Sequence, residues 1–202
     1  MTIHAPVPDY SASRATMIDS QLRPQGVNNP AVVEAMATVA REQFVAPEAR
    51  PLAYSDRAVP IGSGRLMSSA TVLGLLLTEI APVAGERALV VGSGTGYSAT
   101  VLEALDVEVV ALESDAALAA KARVHGLNVV EGPLEQGWKK GRAYDFILID
   151  GAIEYIPDAI VTQLTATGRL GTSLLERGVA RLVTGRRAGN GFGLHSLADY
   201  GA

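Results

Sequence analysis

Four apolar residues, Ala88 to Val91, run directly into Gly92-Ser93-Gly94-Thr95-Gly96, and an amphipathic stretch with Val101, Leu102 and Leu105 on one face follows from Tyr97. A short strand with no polar residue suits burial on both faces. Strand, glycine turn and helix in that order open a nucleotide-binding βαβ unit. The glycines permit a tight turn and let a ligand approach the backbone with no Cβ in the way. The helix that follows aims its first amide groups at the same spot. Glycine turns between strand and helix also occur in α/β proteins that bind no nucleotide, so the next strand has to discriminate.

Val107–Glu113, VEVVALE, is that strand, apolar and ending in an acid 21 residues past Gly92. In dinucleotide folds an acid about 20 residues after the first glycine hydrogen-bonds ribose hydroxyls. Glu113 is either such a ligand or a solvated strand end, and the spacing favours the ligand. The turn narrows the choice of nucleotide. It reads G-S-G-T-G rather than G-x-G-x-x-G, lacks a P-loop lysine, and holds neither Lys nor Arg to meet a pyrophosphate. A neutral turn with an acid on the ribose suits S-adenosyl-L-methionine, a sulfonium cation without phosphate. NAD is the other reading, although a dehydrogenase would need an acid–base pair that no stretch of the chain displays.

Composition excludes several classes. Net charge is −4, and the basic cluster of Arg181 with Arg186-Arg187 is small, which argues against a nucleic-acid partner. Without cysteine there is no disulfide, thiolate nucleophile or Cys-ligated zinc, and His4, His125 and His195 have no metal-ligand spacing. No apolar run reaches the about 18 residues of a membrane span, and the N-terminus carries no signal pattern. A cytoplasmic address with no membrane partner is expected. With 48% hydrophobic residues over 202 positions, the chain can fill one domain core.

In chain order, residues 1–10 read as a loose arm. Ser11–Arg23 reads as a helix with Ala15, Ile18 and Leu22 on one face, ended by Pro24-Gln25-Gly26. Asn29 is an N-cap with Pro30 at the first helical position, and Val32, Met36, Val39 and Ala40 form an apolar stripe. Phe44–Asp56 is irregular. After the turn-rich Pro60–Gly64, Arg65–Ala81 reads as one helix, apolar nearly all round. Residues 1–81 are too few for an independent catalytic domain and read as a helical cap over the strand ends of a core at 82–202, within one compact unit.

Past Glu113, Ser114 or Asp115 caps a helix through Val124, closed by Gly126. Leu127–Val130 and Tyr144–Asp150 are further strands. Pro157 opens a helix with Ile160, Val161 and Leu164 inward, ended by Gly168. Leu170–Leu174, Val179–Val183 and Phe192–Leu197 are weaker strand candidates. Trp138 reads as packing under the sheet. The alternation makes an α/β fold with a doubly wound, mostly parallel sheet. Ligands of such sheets collect at the carboxyl ends of the strands, where Gly92–Gly96, Glu113, Gly132–Leu134 and Asp150 fall.

Over nearly its whole length the chain resembles protein-L-isoaspartate O-methyltransferases. The pieces that carry the resemblance are Met17-Ile18-Asp19-Ser20-Gln21-Leu22, Arg41-Glu42-Gln43-Phe44-Val45, Ala53-Tyr54-Ser55-Asp56, Pro60-Ile61-Gly62-Ser63-Gly64 and Val91 to Tyr97. Gly137-Trp138, Tyr144-Asp145, and Gln163-Leu164 with Gly168-Arg169-Leu170 complete them. The resemblance implies a Rossmann-like class I methyltransferase fold. It also implies S-adenosyl-L-methionine as cofactor and isoaspartyl residues of damaged proteins as substrate, the methyl ester then collapsing to a succinimide. A carboxylate of pKa ~4 is already ionised at neutral pH and needs no base to attack the sulfonium methyl. Positioning and exclusion of water can supply about 7–11 kcal/mol, so no Ser/His/Asp set is required.

Residue by residue, the family's P-I-G-x-G-Q-T-I-S-x-P segment falls on Pro60–Ala70. Ser68 becomes the serine that orients the substrate carboxylate, with Pro60, Ile61 and Arg65 against the substrate. The plainer alternatives are Ser68 as a helix cap and Arg65 as an exposed helix-start residue. By the same resemblance Gly92, Ser93, Gly94, Gly96 and Tyr97 form the cofactor turn and Glu113 holds the ribose. Gly132, Pro133 and Leu134 border the adenine, and Asp150 is a further cofactor contact. The chain departs from the family at Arg65, Leu66 and Met67, which stand for Gln-Thr-Ile, and at Ala70, which stands for Pro. Val90 replaces an acid at the first strand's end. Pro133-Leu134 replaces Asp-Gly and removes a hydrogen bond to the adenine worth ~0.5–1.5 kcal/mol. A binding protein without catalysis, or another carboxylate substrate, is the alternative these departures suggest.

Overall fold

Helix α1 (Tyr10–Met17) begins where Asp9 accepts the Ala12 N–H at 3.1 Å, in a computed structural model that describes residues 9–140, 143–189 and 191–200, the last three by backbone alone. The arm expected over residues 1–10 lies, but for Asp9 and Tyr10, outside the described residues. Beyond Met17 the chain widens into a π-type turn over Ile18–Leu22 and ends at Gly26, φ 94°. The widening rotates the expected stripe: Met17, Ile18 and Leu22 are buried, whereas Ala15 is exposed. Helix α2 (Pro30–Thr38) starts as its cap predicts, Asn29 Oδ1 accepting from the Ala31 N–H at 3.0 Å. Val32 and Met36 of its stripe are buried; Val39 is buried too, but already extended.

The largest departure from the sequence pattern follows. Arg65–Ala81 is not one helix. Val59–Gly62 (β1) and Arg65–Met67 (β2) pair as an antiparallel hairpin, and α3 (Ala70–Ile80) begins only after Ser69, whose Oγ accepts from the Val72 N–H at 3.4 Å. Ser63 and Gly64 between the strands both have positive φ, 51° and 68°, as a tight hairpin turn of type I′ requires. Helical spacing runs on from α3 through Leu66, which hid the strand.

The main sheet holds β3 (Arg87–Val91), β4 (Glu108–Glu113), β5 (Val129–Glu131), β6 (Tyr144–Ile153), β7 (Leu164–Glu176), β8 (Val179–Ala188) and β9 (Gly191–Tyr200). Its order is β5-β4-β3-β6-β7-β8-β9, parallel from β5 to β7 and antiparallel beyond. Helices α4 (Tyr97–Glu103) and α5 (Ala116–Val124) connect β3 to β4 and β4 to β5, and α6 (Asp158–Val161) precedes β7. Asp115 caps α5, Oδ1 accepting from the Ala117 and Leu118 N–H groups at 2.9 Å each. The helix expected from Pro157 to Gly168 stops at Val161, and Leu164 and Gly168 belong to β7. The three weaker strand candidates form and are longer than expected, because successive antiparallel strands extend each other's ladders. Among the described residues no helix is long and apolar enough to cross a membrane.

Each central strand is buried on both faces. Ala88, Val90, Phe146 and Leu148 pack with Met17, Met36, Leu77 and Leu102 on one side. Leu89, Val91, Ile147 and Ile149 pack with Ile160 and Leu164 on the other, where Trp138 covers them. The N-terminal helices thus share a core with one sheet face, and the β1–β2 hairpin reaches the carboxyl ends of the strands. Lys121 Nζ holds it there, donating to the Ile61 carbonyl at 3.1 Å.

Candidate functional site

At the end of β3 the chain turns at Gly92, φ 75°, where the Gly92 and Ser93 N–H groups donate to the Leu112 carbonyl at 2.9 and 3.1 Å. The turn then closes on Glu113. Glu113 Oε2 accepts from the Gly94 N–H at 2.7 Å, and Oε1 from the Ser114 and Asp115 N–H groups at 2.8 and 3.0 Å. This acid is 0% exposed, with Arg65 Nη1 3.6 Å from Oε1. Glu113 is therefore the post around which the glycine turn and the start of α5 are both wound. Thr95 Oγ1, donating to the Phe44 carbonyl at 2.5 Å, ties the same turn to the N-terminal segment.

A cleft of about 520 Å³ opens along the ends of β3 and β6, with Val91, Leu134, Ile149 and Ile153 as apolar wall and the loop to Pro157 as outer rim. Beside it lies a recess of about 10 Å³ formed by Ile61, Ser93, Gly94, Thr95 and Tyr97. Arg65, Leu66, Gly92 and Asp150 border both. Ser98 Oγ donates to Asp150 Oδ2 at 2.6 Å. Burial pushes the Asp150 carboxyl above its ordinary 3.8, opposed by the Ser98 hydrogen bond and the charges of Arg41 and Arg65.

The sign of that shift sets a pH dependence. A carboxyl whose folded pKa is raised favours the protonated fold, and its contribution is lost as pH rises through the folded value. Asp150→Asn should therefore raise the denaturation midpoint at about pH 7 and lose that advantage at about pH 3, where Asp150 is protonated in both states. Denaturant titration of both proteins at the two pH values checks this.

Of the residues singled out in the sequence, Gly92, Leu134, Asp150 and Arg65 meet at the cleft, and Ile61, Ser93, Gly94 and Tyr97 at the recess. Glu113 lies beneath them, enclosed. Pro133 is exposed, and Gly132 faces Leu112 and Trp138 beside Leu134. Gly96 lines neither space: a Cβ there would lie 2.3 Å from Leu127 Cδ1, so this glycine lets α4 approach the segment after α5. Pro60 is exposed, and its carbonyl accepts from the Ala46 N–H at 3.0 Å. Ser68 is half-buried and lines neither space. It is not the helix cap, since Ser69 caps α3, and Arg65 is a strand residue rather than a helix start.

The sequence pattern did not single out Arg41 as a site residue. It is 1% exposed, donating from Nε to the Ala53 carbonyl at 2.7 Å and from Nη2 to the Ser68 carbonyl at 2.5 Å, and its guanidinium lies 4.7 Å over the Tyr97 ring. A lone cation after a helix reads as solvated; its place in the stretch Arg41–Val45 was the sole available signal. Ser98 and the rim residue Tyr155 had no signal at all.

The family model described as protein-L-isoaspartate(D-aspartate) O-methyltransferase matches residues 12–191. A protein-L-isoaspartate O-methyltransferase of Methylorubrum extorquens is 39% identical over 171 residues, 82% of this chain and 75% of that one. One of Roseiflexus castenholzii is 32% identical over 198 residues, 95% of this chain and 90% of that one. In three dimensions the chain is similar to a Plasmodium falciparum structure described as a protein-L-isoaspartate O-methyltransferase in complex with S-adenosyl-L-homocysteine, with TM-score 0.78, 19% identity and 96% of each chain covered. Sequence pattern, sheet order and relatives agree, and the chain belongs to the protein-L-isoaspartate(D-aspartate) O-methyltransferase family.

Proposed function

We propose that this protein transfers a methyl group from S-adenosyl-L-methionine to the carboxylate of isoaspartyl residues in damaged proteins. The observation that carries the proposal is the cleft itself, where the Gly92 turn, wound on the enclosed Glu113, meets Asp150 beside an apolar wall.

The residues present fit the cofactor. Gly92 has φ 75°, which side chains rarely adopt, and a Cβ there would point into the space beside the Asp150 carbonyl oxygen and Arg65 Nη2, 3.4 and 3.5 Å away. Ser93 Oγ is buried without a hydrogen-bond partner and has a free donor to offer. Glu113, enclosed and accepting from the Gly94, Ser114 and Asp115 N–H groups, would fix the turn that receives the cofactor. Leu134, Ile149 and Ile153 would border the adenine, and Asp150 supplies a carboxyl toward a cationic ligand. When bound, the cofactor supplies a methyl group activated by a sulfonium.

The chain's own residues then have to hold and orient an acceptor that is already nucleophilic. Ser68 lines neither space, and it is the family resemblance that makes it the orienting group for the acceptor carboxylate. Leu66 and Tyr155, 60% and 68% exposed on the cleft rim, give a polypeptide acceptor apolar surface to lie on. Glu113 and Thr95 keep the turn closed while this happens.

The test uses methyl-labelled S-adenosyl-L-methionine and two peptides identical except for isoaspartate or aspartate. Label should pass to the isoaspartyl peptide alone. Ser68→Ala should lower kcat about 10–100-fold while leaving S-adenosyl-L-homocysteine affinity unchanged. Absence of transfer to either peptide at saturating cofactor would overturn the proposal.

A further inference from the structure

We infer that Arg65 is a specificity-determining residue that reads the negative charge of the methyl acceptor, binding its carboxylate where the two spaces meet; this rests on the function proposed above. Arg65 opens β2, and the hairpin tip that carries it is fixed from two sides. Lys121 holds the Ile61 carbonyl, and the Ile61 side chain packs against Gly94, 2.7 Å from where a Cβ would be. The guanidinium is thereby delivered between Glu113 and Gly92.

Charge singles it out. Among the described residues that line the cleft or the recess, Arg65 is the one cation, while Glu135, Asp150 and Glu154 are acids. A carboxylate entering this space meets repulsion from the acids, and like charges disfavour the wrong arrangement of a ligand. Attraction comes from Arg65.

The guanidinium is also available. Its approach to Glu113, 3.6 Å, is longer than a hydrogen bond, and the Glu113 oxygens are already held by three backbone N–H groups. Among the described residues the Arg65 side chain makes no hydrogen bond and is 36% exposed, so beyond the long approach to Glu113 its planar fork of N–H groups can turn to a ligand. That fork matches a carboxylate with two parallel hydrogen bonds, which an ammonium or a neutral amide cannot do.

The experiment compares binding of two isoaspartyl peptides, one with the acceptor carboxylate free and one with it amidated, to protein saturated with S-adenosyl-L-homocysteine so that nothing turns over. The wild-type chain should prefer the acid about tenfold or more. Arg65→Gln should reduce that preference below about threefold, with Arg65→Lys between the two. Retention of the wild-type preference by Arg65→Gln overturns the inference, as does a wild-type chain that shows no preference. Label transfer run on the same proteins separates the two proposals. Transfer with the preference intact in Arg65→Gln leaves the methyltransferase function standing and removes Arg65 from it. No transfer, with the preference lost in Arg65→Gln, does the reverse.

Discussion

Glu113→Ala is expected to lower the free energy of unfolding by about 3–5 kcal/mol and to abolish S-adenosyl-L-homocysteine binding in the same variant. The side chain is 0% exposed and accepts from three backbone N–H groups, at 2.7, 2.8 and 3.0 Å. Hydrogen bonds to a charged acceptor contribute roughly 1.5–3 kcal/mol each, and donors stripped of it stay inside the protein without replacement. The Arg65 contact adds little, because at 3.6 Å it is longer than a hydrogen bond and the guanidinium, 36% exposed, is screened by solvent. Glutamine is no rescue. Both carboxylate oxygens are in use, so an amide must turn its NH₂ toward either the Gly94 N–H or the Ser114 and Asp115 N–H groups. Glu113→Gln should therefore fall within about 1 kcal/mol of Glu113→Ala. Urea denaturation and calorimetric titration measure both effects. A loss in Glu113→Ala under about 1 kcal/mol would show that the turn holds without its post.

Arg41→Met carries the second large effect. The variant should lose about 2–4 kcal/mol of stability and about 10–100-fold in kcat, with the KM for the cofactor unchanged. Two physical effects oppose each other here. Removing a buried cation relieves its desolvation, but it strips the Ala53 and Ser68 carbonyls of charged donors at 2.7 and 2.5 Å. It also removes the guanidinium stacked 4.7 Å over Tyr97. The cation is embedded among a ring face and two carbonyls rather than in bare hydrocarbon, so the lost donors outweigh the relief. The kcat effect follows from the role proposed for Ser68: Arg41 tethers its carbonyl, and a freed tether misplaces the hydroxyl. Arg41→Lys keeps the charge but cannot span both carbonyls, so it should recover less than half of either loss. A variant that loses stability with kcat unchanged would confine Arg41 to a structural role. Thermal unfolding together with a kcat and KM split distinguishes these outcomes.

Much of the site was legible because its signals are local. Ala88–Val91, the Gly92–Gly96 turn and Tyr97 onward are adjacent in sequence, and their order alone predicts strand, turn and helix. The Asn29 cap was visible for the same reason, a short polar side chain just ahead of an apolar-periodic run, and the α5 cap was narrowed to Ser114 or Asp115, of which the structure uses Asp115. The failures also have one cause. Leu66 continues the helical spacing of α3, and Leu164 that of α6, so periodicity assigned both to helices. Pairing partners elsewhere in the chain, Pro60 for Leu66 and Tyr144 for Leu164, made them strands instead.

Glu113 illustrates the same division inside the site. Its spacing from Gly92 placed it at the end of β4 beside the glycine turn, and there its side chain is enclosed. What it binds there, three backbone N–H groups and the flank of Arg65, depends on loops brought to it by the β3–β4 pairing and by a hairpin about fifty residues earlier. The sequence by itself determined the parallel core and the glycine turn at the carboxyl end of β3, since burial period and turn chemistry are read within a few residues. Only the tertiary structure decided that Arg65 comes from a strand to face Glu113, that Ser69 rather than Ser68 caps α3, and that Arg41 is a buried tether. Each of those outcomes is a contact between segments distant in sequence, and such contacts are set by which apolar faces find each other in the packed core.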